Sequence, residues 1–597
     1  MKLYKAALPQ DTILRVRTIL HNLGINVIEK HFRKDGLYYS CRICIDNEGV
    51  GCLDIGTNGK GMNSIYSLAS AYGELMERLQ NKMLLLVTKY ASPDFCSNNA
   101  LLRDVFYKSL YHRFFPDEKL KRISYQEFNL ELKRLCPNSF SVEKIVEEKH
   151  SLMEMYYSDF YNVMTKQTES LPYLLIRYAA SSTGLCAGNT PSEAILQGLN
   201  EIFERYVLQQ IYIKRLTPPN IPVELFDGTD ILQRLCMLKK ETGWSFEIKD
   251  CSLGLGFPVI GLLIIDKKNS KYSFRLGADL DKEIALQRCF TETFQGSNVN
   301  SKCLTPILLD DNWNIVEEHN RSVVNGRGRF PKEIFSATPS WRFNGVEIHN
   351  QNTHKESLLS VIKWLKDKGY VLFVRDNSFL GFPAFHLFIP GLSDVDYRLY
   401  NLISEMRKDN EGFYNIKMEY RIPSLTDVEV IQLINKYKNE SSNLICLFPY
   451  NTNIYNNFDR LLLLALLSYK VGEDLDAYNY MKEYLIKKEN EGIRQNVYYY
   501  CVRDFYYAKF LNKENSDIKN MLLLIYTESL VNEVIVDLSN RSKVLDNIPL
   551  PNCFNCNDCK IKNSCHFNTI LDIEKNIQKK QIENYRSQME LSSIFTE

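Results

Sequence analysis

Three segments of this 597-residue chain carry polar side chains at positions i, i+4 and i+7 with an apolar stripe on the far side, and any fold must accommodate all three at once. In the first, Ser70, Glu74 and Glu77 fall within roughly 60° of one another on a helix, while Ile65, Leu68, Tyr72, Leu75, Met76 and Leu79 take the opposite face. The second opens at Thr190-Pro191-Ser192-Glu193, with Thr as N-cap, Pro at the first helical position and Glu at the third. It repeats the spacing with Gln197, Glu201 and Glu204, backed by Ile195, Leu199, Ile202 and Tyr206. The third sets Arg288, Glu292 and Gln295 against Leu286, Phe290 and Phe294. Each such helix packs one face on a core and shows charge on the other.

A solvated surface is the ordinary fate of one Glu-rich stripe. Like charges at this spacing cost an isolated helix roughly 0.2 to 0.5 kcal/mol per pair, yet two of the helices accept the same Glu-x-x-Glu-Arg string, at Glu74 to Arg78 and Glu201 to Arg205. Bound cations would remove that cost. Hard oxygen ligands from several helices, with Arg and Gln beside them, suit magnesium bridging nucleotide phosphates better than a soft metal. The site has no Walker A sequence, because Gly56-Thr-Asn-Gly-Lys-Gly61 lacks the required spacing.

The length exceeds what one core supports, so more than one domain is expected. Up to about residue 395 short β-rich runs alternate with amphipathic helical stretches, an α+β texture with antiparallel hairpins. One hairpin is expected from Tyr38 to Ile45 and Val50 to Ile55, another from Pro258 to Ile265 and Tyr272 to Gly277, with further strands at Tyr370 to Arg375 and Ala384 to Ile389. After Pro390-Gly-Leu-Ser-Asp394 the pattern is helical, and helices near 457–470 and 474–489 are expected to form a hairpin, either tetratricopeptide-like or a single hairpin in an α-helical tail. The expected division is 1–395, then an α-helical part over 396–545, then a Cys-rich segment and terminal helix over 546–597. With 73 Lys plus Arg against 72 Asp plus Glu, the formal charge of +1 indicates no nucleic-acid surface. The start, Met1-Lys-Leu-Tyr-Lys5, has no signal-type apolar core, and the apolar run Leu461 to Leu467 is too short to span a bilayer, so a cytoplasmic location with no membrane contact is expected.

Of the 16 cysteines, four cluster as Cys553-x2-Cys556-x2-Cys559-x5-Cys565, followed by His566. In a reducing compartment disulfides are disfavoured, and metal binding is the stronger reading. Zinc accepts four cysteines, or three with His566, and a [4Fe–4S] cluster accepts the four thiolates.

The motifs resemble those of the YcaO family. The resemblance lies in Thr57-Asn-Gly-Lys-Gly61, Ser70-x-x-x-Glu74-x-x-Glu77-Arg78, Ala187-Gly-Asn-Thr190 with Glu193, Glu201-x-x-Glu204-Arg205, Arg288-x-x-x-Glu292-x-x-Gln295 and Ile389-Pro-Gly-Leu-Ser-Asp394, in order over about two thirds of the chain. It implies an α+β, YcaO-type ATP-binding domain with ATP lying between helices. Magnesium would be held by Glu74, Glu77, Glu201, Glu204 and Glu292, and the nucleotide contacted by Lys5, Ser70, Asn189, Glu193, Arg205, Arg288 and Gln295. For Glu193 the capping-box reading competes equally. Cys186 stands where a small hydroxyl is expected near the adenosine.

Family members phosphorylate a backbone amide oxygen as a nucleophile adds, which implies a protein or peptide substrate. The end of the sequence, Leu591-Ser-Ser-Ile-Phe-Thr-Glu597, lacks the Pro-rich tail of azoline-forming members. A domain followed by a helical tail is more similar to the member associated with β-methylthiolation of a small-subunit ribosomal protein, so an accessory role beside a radical-SAM methylthiotransferase ranks first. Azoline or thioamide formation on a peptide ranks second, and an ATP-dependent scaffold third. A homodimer is a further expectation. The part Cys556-x2-Cys559-x5-Cys565 resembles the auxiliary-cluster segment of radical-SAM peptide maturases, which favours iron and sulfur over zinc.

Overall fold

The computed structural model describes residues 5–34, 37–47, 55–85, 115–138, 153–294, 304–308, 313–325, 328–345, 351–396, 418, 422–440, 444–446, 457–545, 550, 552, 559–560 and 567–596. Among them every strand pairing is antiparallel. One sheet has the order β1 (Val27–Lys34), β2 (Tyr38–Ile45), β3 (Gly56–Gly61). A second takes β4 (Lys119–Ile123), β5 (Met153–Asn162), β6 (Gln167–Pro172) and β7 (Leu185–Ala187), and a third takes β8 (Ser245–Asp250), β9 (Val259–Asp266), β10 (Lys271–Ala278) and β11 (Thr305–Pro306). The second sheet is completed by β12 (Phe373–Asp376) and β13 (Ala384–Phe388) in the order β4-β5-β12-β13-β7, with β6 on β5. The hairpin expected from Pro258 to Gly277 is present, with Tyr272 opposite Ile265.

The first expected hairpin extends further than its sequence suggests. Most of Val50 to Ile55 lies outside the described residues, but pairing continues through Gly56–Gly61, with Cys44 opposite Gly56 and Tyr39 opposite Gly61. Glycine is a poor strand former, and the reason it appears here is close approach. A Cβ on Gly59 would stand 1.9 Å from the Ser67 carbonyl oxygen, so the missing side chain lets helix α2 lie directly on the strand.

Five helices position the polar stripes: α1 (Pro9–Asn22), α2 (Ser64–Gln80), α3 (Pro191–Lys214), α4 (Lys282–Thr293) and α5 (Ile315–Asn325). Their apolar faces are buried as the periodicity requires. Tyr72, Leu75, Met76 and Leu79 of α2 join a core with α1 and the first sheet, although Ile65 at its start is exposed. Ile195, Leu199 and Ile202 of α3 sit in a core shared with strands of the second and third sheets. Leu286 and Phe290 of α4, with Phe294 just after it, pack with the third sheet. The helices begin where side-chain oxygens cap them: Asn63 accepts from the Tyr66 amide, Thr190 from the Glu193 amide, and Asp281 from the Glu283 and Ile284 amides.

After residue 396 the described residues are mainly helical. Helices Arg460–Lys470, Asp474–Asn490, Val497–Phe510, Asn515–Leu523 and Glu528–Leu538 share one apolar core of their own. The terminal helix, Phe567–Glu583, behaves differently from the sequence-based division that places it with the tail. Its Ile570, Ile573 and Ile577 are buried in the same core as α1 and α2. Glu574 forms a buried ion pair with Lys82 at 3.4 Å, just beyond the end of α2. Further on, Gln588 accepts from the Asp376 amide at 2.7 Å, Leu591 is buried with α3, and the Phe595 ring stacks on Tyr161 with centroids 5.8 Å apart. The last thirty described residues are therefore structural members of the first unit. Among the described residues no helix is long and apolar enough to cross a membrane.

Candidate nucleotide and magnesium site

The charged faces of α2, α3 and α4 meet in a cavity of about 1250 Å³. Its lining contains Ser70, Glu74 and Glu77 from α2, Glu193, Glu201, Glu204 and Arg205 from α3, Arg288 and Glu292 from α4, and Lys5 and Asn189 from the segments beside them. The periodicity thus found residues that share one space, although they are up to 222 positions apart. Gln295 lies outside the described residues.

The electrostatics follow from crowding carboxylates in a buried place. Burial is the main cause that raises the Glu77 carboxyl well above its ordinary range; Arg78 opposes the shift, and the charges of Glu201 and Glu74 add to it. Glu201 is raised for the same first reason, with Arg205 and Arg78 opposing and Glu204 and Glu74 adding. Guanidinium groups offset part of this repulsion. Arg78 lies 3.5 Å from Glu74 and 3.4 Å from Glu77, and Arg205 lies 3.9 Å from Glu201. Arg205 also donates to the Val323 carbonyl at 3.2 Å, which ties α3 to the end of α5. Arg288 donates to Asp279 at 3.0 Å and to Gln197 at 2.6 Å, so a strand end and α3 fix its head beside Glu292.

Two more of the nucleotide candidates, Glu193 and Asn189, have intramolecular duties. The Glu193 carboxylate does not reach back to its own N-cap, so the capping box is only half formed. Thr190 accepts from the Glu193 amide, but the carboxylate accepts from the Ala6 amide at 3.0 Å and pairs with Lys5 at 3.5 Å. It pins the N-terminal segment over the start of α3. Asn189 accepts from the Thr12 hydroxyl at 2.8 Å and from Arg15 through its carbonyl at 3.2 Å, which fastens α1 to the same place. Cys186 is a correction: it is fully buried in β7 with its thiol directed to the Phe385 carbonyl at 3.6 Å, while Ala187 and Gly188 line the cavity. Its thiol therefore does not line the cavity.

Sequence reading missed Lys60. It lies between two glycines in β3, projects into the cavity and forms an ion pair with Glu292. Burial is the main cause that pushes its ammonium down to about 8, against the attraction of Glu204 and Glu74. A lysine flanked by residues without side chains was the available signal. Arg275 and Asn320 also line the cavity, and nothing in their sequence context marks them.

A family model described as YcaO cyclodehydratase, ATP- and Mg2+-binding, matches residues 58–393. The chain belongs to the YcaO family. Two curated relatives align with it: an uncharacterized protein of Haemophilus influenzae, 26% identical over 402 residues, and the Escherichia coli ribosomal protein S12 methylthiotransferase accessory factor YcaO, 26% identical over 407 residues. Each alignment covers 66% of this chain and 66% of the relative, so just under two thirds of each relative's length is matched. Among solved structures, a heterocyclase in complex with substrate and cofactor aligns at 16% identity and TM-score 0.48, covering 69% of this chain and 56% of that one. The YcaO protein of Methanopyrus kandleri bound with AMPPCP and Mg2+ aligns at 15% identity and TM-score 0.38, covering 66% and 93%.

The donor set fits the ATP and magnesium that the family binds. Five carboxylates supply hard oxygens, and two of them, Glu77 and Glu201, are raised first by burial and further by neighbouring carboxylates, a cost that a divalent cation would relieve. Among the described residues no three carboxylate, His or Cys side chains converge closely enough to ligate one ion directly. Arg78 pairs with Glu74 and Glu77, and Lys60 with Glu292. The remaining Cys553, Cys556 and Cys565 lie outside the described residues, while Cys559 is buried against the apolar core of the helical tail.

Proposed function

We propose that this YcaO protein binds ATP with magnesium in the cavity between α2, α3 and α4 and uses the nucleotide to activate an amide or carboxyl group of a protein or peptide. The observation that carries this reading is the meeting of Glu74, Glu77, Glu201, Glu204 and Glu292 with Arg78, Arg205 and Arg288 in one space. The carboxylates would hold magnesium, which neutralises phosphate charge during phosphoryl transfer. Arg205 and Arg288, anchored through the Val323 carbonyl and Asp279, present fixed donors to phosphate oxygens. Ser70 and Asn189, which line the same cavity, would contact the nucleotide, and Lys5 with Glu193 would hold the N-terminal segment as a wall. An acceptor oxygen positioned by these walls receives the phosphoryl group, so that it leaves as phosphate once a nucleophile has added.

The acceptor is proposed as a small-subunit ribosomal protein, with this chain serving as accessory factor to a methylthiotransferase. The name of the E. coli relative supports that choice. The family's description as a cyclodehydratase favours a second reading, heterocyclisation or thioamidation of a peptide. Phosphate release from ATP, measured with each acceptor in turn, separates them: release stimulated by the ribosomal protein supports the first, release stimulated by a peptide supports the second, and no stimulation by any acceptor favours a scaffold.

Cys553, Cys556, Cys559 and Cys565 are proposed to hold zinc or a [4Fe–4S] cluster that stabilises the tail. Thiolate ligation couples metal binding to local folding. Elemental analysis and visible absorption of protein purified without oxygen are expected to show one of the two. Replacing Cys556 and Cys559 with Ala should lower that metal content, and metal-free native protein would contradict the assignment.

A further inference from the structure

The ion pair between Lys60 and Glu292 puts an ammonium where the proposed metal must act. Lys60 reaches that position because of the strand that carries it. Thr57, Gly59 and Gly61 form the face of β3 that lies on α2: the Thr57 hydroxyl donates to the Ala71 carbonyl at 2.9 Å, and a Cβ on Gly59 or Gly61 would stand 1.9 Å or 2.6 Å from backbone atoms of Ser67. Asn58 and Lys60 take the other face, where Asn58 accepts from Arg42 at 3.1 Å. The strand is therefore clamped on both sides, and the lysine stem extends into the cavity toward α4.

Two of the cations around it keep partners outside the metal-ligand candidates: Arg288 keeps Asp279 and Gln197 whatever happens to Glu292, and Arg205 keeps the Val323 carbonyl, whereas Arg78 pairs with Glu74 and Glu77. Lys60 pairs with Glu292 itself, one of the five metal-ligand candidates. An ammonium on a four-carbon stem is a mobile point charge, well suited to changing partner between carboxylate and phosphate.

We propose that Lys60 is an exchangeable counter-ion, occupying Glu292 in the metal-free protein and passing to the terminal phosphate of the nucleotide when magnesium takes that carboxylate. Lys60 is thus a positioning residue for Glu292 before the metal binds and a phosphate contact afterwards. This inference rests on the ATP and magnesium reading given above, and its test separates the two. In metal-free protein, Lys60→Met removes a competitor, so Mg2+ added without nucleotide should bind about 10-fold more tightly. The same variant loses a contact to the terminal phosphate, so its preference for ATP over ADP in the presence of Mg2+ should fall by about 10-fold. Lys60→Arg keeps the charge and should stay within about twofold of the parent in Mg2+ affinity. The side chain is 30% exposed, which lets both variants fold, and thermal melts verify it.

Calorimetric titration of each variant with Mg2+, then with ATP and ADP, reads all three effects. Tighter Mg2+ binding together with a reduced ATP preference supports the exchange. Unchanged or weaker Mg2+ binding in Lys60→Met, or an unchanged preference for ATP, overturns it. A parent protein that binds no Mg·ATP at all would instead overturn the underlying function.

Discussion

Replacing Glu201 with Gln is expected to leave the fold intact and to weaken magnesium-dependent ATP binding by about 100-fold. The substitution is nearly isosteric and lies on the polar face of α3, away from the buried Ile195, Leu199 and Ile202. It removes a charge that burial, with the neighbouring charges of Glu204 and Glu74 adding, makes unfavourable at Glu201, so the metal-free variant should melt at or above the parent temperature. A metal ligand is another matter. Interactions of a charged group are worth roughly 1.5 to 3 kcal/mol, and about 2.7 kcal/mol corresponds to the 100-fold loss. Titration calorimetry with Mg·ATP and a thermal melt measure the two sides. Unchanged affinity would remove Glu201 from the metal site, and a large fall in melting temperature would make its role structural.

A chain ending at residue 566 is expected not to fold. Ile570, Ile573, Ile577 and Leu591 are at most 4% exposed. Burying each stabilises by roughly 1.5 to 3 kcal/mol, so their loss removes about 6 to 12 kcal/mol from a total that is about 5 to 15 kcal/mol for a typical domain. Lys82 would also remain buried without Glu574, a situation that costs about 3 to 5 kcal/mol when one partner of a buried pair is removed. Circular dichroism and thermal unfolding of residues 1–566 should show no cooperative transition for the first unit. A truncated chain that melts like the parent would show that the terminal helix is dispensable. Residues 1–395 are expected to fail for the same reason, contrary to what the sequence division suggests.

The carboxylate helices were legible because a 3.6-residue period reports both faces of a helix at once. That period placed the stripes of α2, α3 and α4, and the repeated Glu-x-x-Glu-Arg string favoured a shared cation site over three solvated surfaces. What it could not report is where chains meet. The partner of Glu193 is Ala6, 187 positions earlier, and nothing local distinguishes a carboxylate that caps its own helix from one that reaches a distant amide. The strand at Gly56–Gly61 was hidden because its pairing with β2 and the approach of α2 override the low strand propensity of glycine. Lys60 was hidden with it. The terminal helix reads as an amphipathic tail segment, and its apolar stripe does not say which of two cores receives it.

Binding of ATP through magnesium in the carboxylate-lined cavity is directly measurable. Calorimetric titration of the full chain with ATP, in excess Mg2+ and again in excess chelator, tests it most directly. The account predicts saturable binding to one site with Mg2+ and loss of that binding in chelator. Equal affinity under both conditions, or no binding with Mg2+, would contradict it.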